Sequence, residues 1–395
     1  MLGRYITHTK TRFHNRILHS LLFCIIIAPP SVSAGFLDIF TDKTLSNGNR
    51  FAFVASQLEP SIMAIDTSNN KLADVLNLTH ISGPIVVSEK SDKLFATDPD
   101  NEVVTVIDLE TREVVSKINI NMRPEAALLS PIDRFVAFGS REGSVSVWDM
   151  VGYTEVLRID GLESGLNLSF SFDGTKLYVV EPNKKNIAVI EIQSQSKIAD
   201  ISLGDPVETD TEISPVSRSA NGYTGFVSVI SENRVVVLDL IKLKVKKSIP
   251  VGRNPIRPYS TADNRYILIP HRGDKTLIVL SALSYEIIAT IPTGIEAKEL
   301  NTGWLETVAF VMPKHGKEIA MVDLDKLRFA GSIKLGGQPD DGLVTADSKK
   351  LFTALADTGE VVAINTRTKS LENKIMTPVT RLQGIEIAIS NNICH

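Results

Sequence analysis

The stretch EVVTVIDLETREVVSKI (Glu102–Ile118) decides the fold. Apolar and polar residues alternate in two runs that a polar turn separates, which is the pattern of a β-hairpin. Asp108 ends the first run, where a side-chain oxygen can accept a backbone hydrogen bond from two residues on and so start the turn. The same place recurs along the chain at steps of 41, 42 or 48 residues. We call its occupants the marker residues: Asp66, Asp108, Asp149, Glu191, Asp239, Ser281, Asp323 and Asn365.

Each repeat unit has the same order of predicted strands. An inner strand such as EAALLS (Glu125–Ser130) leads through a polar turn to a second strand, RFVAFGS (Arg134–Ser140). The third strand, SVSVWD (Ser144–Asp149), carries the marker, and a fourth leads to the next unit. Four short strands in about 40–45 residues is the period of a β-propeller blade. Second strands are predicted to begin near Phe51, Leu94, Phe135, Leu177, Gly225, Tyr266, Val308 and Leu351.

The chain is therefore predicted to be all-β, an eight-bladed β-propeller of four-stranded blades over residues 50–391. The segment DPVETDTEISPVSRSANG (Asp205–Gly222) is interpreted as a longer loop and not as a further domain. GIEIAIS (Gly384–Ser390) matches an inner strand with no partners after it, whereas the first unit begins at its second strand, Phe51 onward. We expect the last strand to complete the first blade, which closes the ring and hides two sheet edges.

The first 34 residues have the pattern of a signal peptide. Basic residues without an acid precede the apolar stretch Ile17–Ala28, and Val32-Ser33-Ala34 supplies the small residues of a cleavage site. The apolar stretch is shorter than the roughly 20 residues that span a bilayer, although an uncleaved membrane anchor is the alternative. We expect a periplasmic or secreted protein that starts near Gly35, with residues 35–49 as a lead-in and no membrane span.

Composition excludes some partners. The chain has 395 residues, of which 43% are hydrophobic and 22% charged, as in ordinary globular proteins. Cleavage after Ala34 would remove four of the 42 basic residues and none of the 46 acids. The formal charge would then be 38 − 46, about −8, which argues against nucleic acid or anionic lipid as a partner. Only Cys394 would remain, so no internal disulfide can form.

The tail, residues 392–395, ends in Cys394 and His395. Covalent haem attachment requires Cys-x-x-Cys-His, and Asn391 stands where the first cysteine would be. Thiolate and imidazole are both ligands of soft metals, although adjacent residues seldom complete a site. The third alternative is a plain tail with a free thiol, which could pair with a partner protein.

The repeat units resemble the YVTN-type propeller repeat, in which a Gly-x-x-Pro loop, an inner strand, a turn and a VxVID strand follow one another. The closest matches are LGGQPDDGLVTADSKKLFTALADTGEVVAIN (Leu335–Asn365) and VGRNPIRPYSTADNRYILIPHRGDKTLIVL (Val251–Leu280). The resemblance covers about residues 50–390. It implies a propeller fold and does not specify a function.

Candidate ligand-binding residues lie in the loops that lead into the inner strands, which in propellers converge on the mouth of the central channel. Arginines and carboxylates alternate there, so the mouth could bind a polar or anionic small molecule. The alternative is ordinary charge on solvent-facing loops. The candidates are His80, Arg123, Glu125, Glu163, Arg253, Arg257, Glu296, Lys298, Asp340, Asp341 and Arg381.

His271 and His315 hold nearly matching places in neighbouring units, between the second and third strands. With Asp274 they could bind a metal or act as base and acid. Two unrelated surface histidines are the alternative.

Eight blades also resemble the haem-binding propellers of the nitrite-reductase type and their cofactor-maturation relatives. That family has histidines in the loops leading into the inner strands. Here His80 lies in such a loop, but Arg257 and Lys298 stand in the corresponding loops of later units. The resemblance implies a cofactor-binding or maturation role, and the departure argues against reductase activity.

Three functional hypotheses follow. The first is a non-catalytic, monomeric, exported propeller that binds a partner protein or a small polar ligand or cofactor, because we find no nucleophile–base–acid set, metal-ligand spacing or phosphate loop. The second is a propeller enzyme of the lactonase, lyase or hydrolase type that uses a metal or the charged ring. The third is a haem-handling or redox protein. No catalytic residue is predicted.

Overall fold

The computed structural model describes residue 45 and residues 50–207 and 211–388. The predicted signal peptide, most of the predicted lead-in, and the Cys394–His395 tail lie outside the described residues. No helix among the described residues has the length and apolarity needed to cross a bilayer.

Short strands dominate the described chain, and a 3-10 helix at Ile230–Glu232 joins two of them. In chain order the strands are β1 (Phe51–Ser56), β2 (Ser61–Asp66), β3 (Lys71–Asn77), β4 (Ile85–Ser88), β5 (Lys93–Asp98), β6 (Val103–Asp108), β7 (Val114–Asn119), β8 (Ala126–Leu129), β9 (Phe135–Gly139), β10 (Val145–Asp149), β11 (Thr154–Ile159), β12 (Leu168–Phe170), β13 (Lys176–Glu181), β14 (Asn186–Glu191), β15 (Ser196–Ser202), β16 (Ser217–Arg218), β17 (Thr224–Val229), β18 (Arg234–Asp239), β19 (Lys244–Pro250), β20 (Tyr259–Ser260), β21 (Tyr266–Pro270), β22 (Thr276–Ser281), β23 (Ile287–Pro292), β24 (Ala297–Gly303), β25 (Val308–Pro313), β26 (Glu318–Asp323), β27 (Arg328–Lys334), β28 (Pro339–Val344), β29 (Lys350–Leu355), β30 (Glu360–Asn365), β31 (Ser370–Met376) and β32 (Leu382–Ile387).

The strands form eight four-stranded antiparallel sheets, so the prediction of an eight-bladed propeller is confirmed. Blades 2 to 8 each use four consecutive strands, from β4–β7 to β28–β31. Blade 1 has the order β3-β2-β1-β32, with Phe53 opposite Glu386 and Ala52 opposite Ile387. The predicted closure of the ring by the C-terminal strand is therefore confirmed, and the closing pair leaves β1 hydrogen-bonded on both sides.

The marker residues occupy the predicted position. Each of the eight is the last residue of the third strand of its blade. Asp108 shows why: its Oδ1 accepts hydrogen bonds from the backbone N–H of Glu110 and Thr111 at 2.9 and 2.8 Å. The Thr111 bond and then Lys93 lower the pKa of Asp108 to about 2. A short carboxylate at this place ties the turn between the third and fourth strands.

The core lies between neighbouring blades, because successive side chains of a strand point to opposite faces of its sheet. In β18, Val236 packs towards blade 4 against Val189, whereas Val237 packs towards blade 6 against Ile267. Both faces are covered, which explains why third strands are continuous apolar runs such as VVVL. The fourth strands lie at the rim and are largely exposed.

One sequence prediction is wrong in part. Asp205–Gly222 was expected to be a loop, but the inner strand of blade 5, β16, lies within it and pairs with β17. Ile213 forms a further bridge with Val229. The strand has two residues, Ser217–Arg218, which is too short for alternation to reveal it.

Gly139 offers a stability test because it ends β9 against the loop of the next blade. A Cβ there would lie 1.8 Å from the carbonyl oxygen of Gly165. We expect Gly139→Ala to lower the free energy of unfolding by about 3 kcal/mol, the upper part of the range for overpacking. Chemical denaturation measures this. Gly152→Ala is the control, since its Cβ would meet only Thr154 at 3.7 Å. Equal losses in both variants would contradict the proposed close packing of blades.

Candidate functional site

The inner strands surround a cavity of about 500 Å³ in the central channel. It extends to the turns that follow β4 and β8, where Glu89, Lys90 and Pro131 border it. Those turns lie at the far ends of the inner strands from the loops where the ligand site was predicted. The cavity therefore reaches from the starts of the inner strands to the opposite face of the ring.

The lining of this cavity changes in character around the ring. Blades 2, 3 and 4 contribute mainly aliphatic and aromatic side chains, although Glu89, Lys90 and Asp133 border the cavity at their turns. Blades 5 and 6 contribute arginines, and blades 7, 8 and 1 contribute carboxylates together with Leu343, Ile385 and Ile387. We call these the apolar sector (Val86, Leu128, Phe170), the arginine sector (Arg218, Arg257) and the carboxylate sector (Glu299, Asp341, Glu386).

Arg257 precedes β20 and reaches across to blade 5. Its Nε donates to Ser217 Oγ at 3.1 Å and its Nη2 to the Val216 carbonyl at 3.4 Å. Burial, and then the charge of Arg218, lower the pKa of Arg257 to about 10, so it is a cation at neutral pH. Within the described chain, Arg257 forms no ion pair with a carboxylate, and its Nη1 donates no hydrogen bond. It is a fixed cationic group at the cavity wall.

Arg218 ends the two-residue strand β16 and is 2% exposed, one of the largest fully buried side chains described. Arg218 lines the same cavity as Arg257, which is bonded to the preceding residue, Ser217, and the charge of Arg218 lowers the pKa of Arg257. Like charges repel strongly in a medium of low dielectric constant. An anion bound beside Arg257 could accept charge-assisted hydrogen bonds from it.

Glu299 and Asp341 are in hydrogen-bond contact through their carboxyl groups. Glu299 Oε1 also accepts from Asn301 Nδ2 at 3.0 Å, and its Oε2 accepts from the backbone N–H of Gly342 at 3.2 Å. Burial, and then the charge of Asp341, raise the pKa of Glu299 well above its ordinary value. The protonated form of Glu299 is therefore favoured, because ionising it beside Asp341 in a buried site is costly.

Glu386 lies on β32 and completes the carboxylate sector. Its side chain is exposed to the channel. The protein that surrounds the channel desolvates the carboxyl group and, with Asp341 adding to it, raises the pKa of Glu386 to about 8. Its carboxyl group accepts no hydrogen bond from any of the described residues. It is therefore available to a ligand that brings hydrogen-bond donors.

The repeat explains how three of these residues come together. Arg257, Glu299 and Asp341 are 42 residues apart in succession and occupy the same place in blades 6, 7 and 8. β24 and β28 are both bulged there, between Ala297 and Glu299 and between Pro339 and Gly342. A bulge locally re-aims side chains. The sequence predicted Arg257 and Asp341 but missed Glu299, which the 42-residue spacing could have revealed.

The other two missed residues gave weaker signals. Glu386 lay in a strand that was recognised, but its position against the cavity depends on the ring closure. Arg218 lay in the segment interpreted as a loop.

Most other predicted mouth residues bind neighbouring loops and do not line the cavity. Lys298 Nζ lies 2.8 Å from Asp340 Oδ1, and Arg253 Nε lies 2.7 Å from Asp274 Oδ1. Such pairs hold the loops of one blade to one another or to the next blade. The remaining partners are Arg123 with Asp100, Glu125 with Arg141, Glu163 with Asn183 and Lys184, and His80 with Asp98; Glu296 is half-buried and Arg381 exposed.

His271 and His315 differ in environment. His271 follows β21 and is fully buried, with no hydrogen-bond partner for either ring nitrogen among the described residues, whereas His315 is exposed. Burial lowers the pKa of His271 to about 4, against a smaller opposite effect of Asp274. Among the described residues, no three His, Cys, Asp or Glu side chains are grouped so as to hold a metal ion.

No protein-family model matches the chain, and no curated protein matches it by sequence. Solved structures share its fold. Dihydro-heme d1 dehydrogenase NirN in complex with DHE is 14% identical, with a TM-score of 0.71, over 88% of this chain and 77% of that one. Hydrazine synthase of Kuenenia stuttgartiensis is 17% identical, with a TM-score of 0.53, over 75% of this chain and 95% of that one.

A functionally unknown protein from Desulfotomaculum acetoxidans is 12% identical, with a TM-score of 0.58, over 86% of this chain and 98% of that one. At these identities the likeness concerns the fold alone. The chain is an eight-bladed β-propeller whose structural neighbours include the haem d1 propeller NirN.

Proposed function

We propose that this chain is an exported binding propeller of YVTN-type repeats that holds a small anionic ligand in its central channel. The observation that carries the proposal is the arginine sector. Arg257 is held by two hydrogen bonds at the wall of a 500 Å³ cavity and forms no ion pair with a described residue. Cavities of about 300–1,000 Å³ with a few fixed polar groups are typical of small-molecule sites.

The binding energy would come from groups that are already positioned. Arg257 is tied to Ser217 and Val216, so little side-chain freedom is lost when an anion binds. Hydrogen bonds to charged groups contribute about 1.5–3 kcal/mol each. The mouth loops predicted from the sequence remain a second candidate surface, which suits a partner protein better because their charges are already paired with each other.

Mass spectrometry of released small molecules tests the proposal. Protein purified without added ligand is denatured, and the supernatant is compared for the wild type, Arg257→Gln and Arg381→Gln. We expect an anionic compound in near-stoichiometric amount from the wild type and Arg381→Gln, and a loss of at least ten-fold with Arg257→Gln. Equal recovery from Arg257→Gln, or no compound together with no thermal stabilisation by an anionic metabolite library, would refute the channel site.

Haem-related chemistry is the second candidate function, and the solved complex of NirN with DHE favours it. Arg218 and Arg257 could bind the carboxylates of a tetrapyrrole. The lining does not fit a haem iron, because none of its residues is a histidine, cysteine, methionine or tyrosine. An absorption spectrum of the purified protein, before and after titration with haem, tests this candidate. A visible band that Arg257→Gln removes would support it, and an unchanged spectrum would exclude it.

Export rests on residues 1–34 and has its own test. N-terminal sequencing of the protein from the cells that make it is expected to start near Gly35. A start at Met1 would show that the apolar stretch is retained.

A further inference from the structure

The outer strand of blade 5, β19, and the turn before it carry a run of positive charge. Four lysines fall within the six residues 242–247, no acid lies among them, and all four are exposed: Lys242, Lys244, Lys246 and Lys247. None of the four forms an ion pair with a described residue. On β15 and β31, by contrast, the lysine pairs with an acid, Lys197 with Asp200 at 2.8 Å and Lys374 with Glu360 at 3.5 Å.

Two aliphatic side chains beside these lysines are largely exposed. Ile241 and Leu283 each lie two residues after the marker residue of their blade, in the turns between the third and fourth strands of blades 5 and 6, and they are 68% and 92% exposed. The turn does not require an aliphatic residue, since Glu110 and Asp325 hold the equivalent place in blades 2 and 7. The fold therefore does not account for these two exposed tips.

Contacts between the two blades join the lysines and the tips into one surface. Lys246 Nζ donates to Tyr285 Oη at 3.0 Å, and Lys247 Nζ donates to the Ser284 carbonyl oxygen at 3.4 Å. β19 therefore lies against the turn that carries Leu283. We call this surface the rim patch, and it consists of Ile241, Lys242, Lys244, Lys246, Lys247 and Leu283.

The acids nearest in sequence do not cancel the charge of the rim patch. Asp239 Oδ1 accepts hydrogen bonds from the backbone N–H of Ile241 and Lys242 at 3.1 and 2.8 Å, so it is occupied by the turn. Glu286, on the neighbouring turn, accepts from Ser284 Oγ at 3.3 Å. Two acids against four lysines leave the rim patch net positive.

We propose that the rim patch docks the protein on the surface of an anionic phospholipid bilayer. The lysine ammonium groups would lie at the lipid phosphates, and Ile241 and Leu283 would enter the boundary between head groups and acyl chains. This inference concerns the outer rim of blades 5 and 6 and is independent of the channel ligand.

The arrangement of the rim patch favours a bilayer over an acidic protein. A protein interface buries a closely packed apolar core, whereas Ile241 and Leu283 lie on separate turns beside charged side chains. Each tip can enter a bilayer without packing against the other. Lysine on an edge strand also discourages pairing with other strands, but that role does not explain why the two aliphatic tips are exposed.

The formal charge of about −8 expected for the processed chain does not preclude this docking. A net charge sums over all faces of the protein, whereas salt limits the reach of exposed charges to about 8 Å at physiological ionic strength. A bilayer in contact with the rim patch is therefore attracted by its lysines more strongly than it is repelled by acids on distant faces.

Vesicle co-flotation of the protein that begins near Gly35 tests the inference. The vesicles contain equal parts of phosphatidylcholine and phosphatidylglycerol, or phosphatidylcholine alone. We expect binding to the anionic vesicles at physiological salt and at least ten-fold weaker binding to phosphatidylcholine alone. Raising the salt concentration to about 1 M should weaken the binding to anionic vesicles to a similar extent, because salt screens exposed charges.

A matched pair of double variants tests the lysines. Each lysine near an anionic surface contributes about five-fold to the partition coefficient, so Lys242→Gln with Lys244→Gln should weaken binding about 25-fold. The control, Lys314→Gln with Lys334→Gln, removes the same charge from two exposed lysines of blade 7 and should bind as the wild type does. Near-ultraviolet circular dichroism checks that each variant is folded.

A second pair tests the aliphatic tips. Leu283→Ser should weaken binding about ten-fold, because one apolar side chain no longer enters the bilayer. The control, Leu58→Ser, changes a leucine that is 54% exposed in the turn between β1 and β2 and should bind as the wild type does.

Three results would overturn the inference. One is no binding to anionic vesicles, and another is equal binding to both kinds of vesicle. The third is an equal loss of binding in the rim-patch variants and their controls. Binding to polyglutamate without binding to vesicles would identify an acidic protein as the occupant of the rim patch instead of a bilayer.

Discussion

Deletion of residues 381–395, which removes β32, is expected to abolish cooperative folding. β1 would lose its partner along Ala52, Phe53 and Ala55 and become an open edge at the centre of the ring. The core between blades 8 and 1 would lose Leu382 and Ile385, together with Ile387. Burying such a side chain contributes about 1.5–3 kcal/mol, so three of them approach the 5–15 kcal/mol that stabilises a typical domain.

Thermal unfolding by circular dichroism and size-exclusion chromatography measure this effect. The control is a circular permutant that joins Ala388 to Leu45 through a short glycine–serine linker and opens the chain after Met376. It keeps every strand, and we expect it to fold. A truncated protein that unfolds cooperatively at the wild-type temperature would show that the closing strand is dispensable.

The second large effect that we expect is a decrease in the free energy of unfolding in acid caused by protonation of His271. The pKa of His271 is about 4 in the folded protein, against 6.5 for the ordinary side chain, because burial disfavours the charged ring. Between these values the unfolded chain binds more protons than the folded one, so the free energy of unfolding falls as the pH falls. The contribution of His271 to this loss should be about 2 kcal/mol between pH 7 and pH 5 and should level off below about pH 4, whereas Glu386 and Glu299, whose pKa values are raised, contribute with the opposite sign.

Denaturant unfolding at pH 7, 6 and 5 measures the loss in the wild type, His271→Leu and His315→Gln. His271→Leu removes two buried nitrogens that lack partners among the described residues, so the difference in the free energy of unfolding between this variant and the wild type should grow by about 2 kcal/mol from pH 7 to pH 5. His315→Gln should follow the wild type because His315 is exposed. Parallel curves for His271→Leu and the wild type would mean that His271 does not control acid stability.

The fold could be predicted because its signals are local and repeated. An alternating strand that ends in a short polar residue, as in VVTVID, determines both the strand and the turn that follows, and the structure has Asp108 bonded as that pattern requires. Because the same local pattern occurs in eight units, the fold could be predicted even though one marker residue, Glu191, is not a typical turn residue. β16 was not predicted because a strand of two residues is too short to show an alternating pattern.

The candidate site could be predicted only in part. Arg257 and Asp341 were recognised as charges near the ring axis, but they were assigned to a loop surface that binds a ligand from the mouth face. In the structure both line the cavity, which extends to the other face. Lys298 and Asp340, their neighbours in sequence, bind each other instead. Adjacent residues of a strand point to opposite sides, and a bulge can reverse which of them faces the channel.

By itself the sequence determined the number of blades, the order of strands and the closure by the last strand, because hydrogen-bonded hairpins depend on residues close along the chain. The tertiary structure alone decided the three sectors of the channel. Arg218 and Glu386 are far apart in sequence, and they share a cavity because the ring brings eight inner strands to one axis. The raised pKa of Glu386 and the burial of Arg218 arise from that convergence.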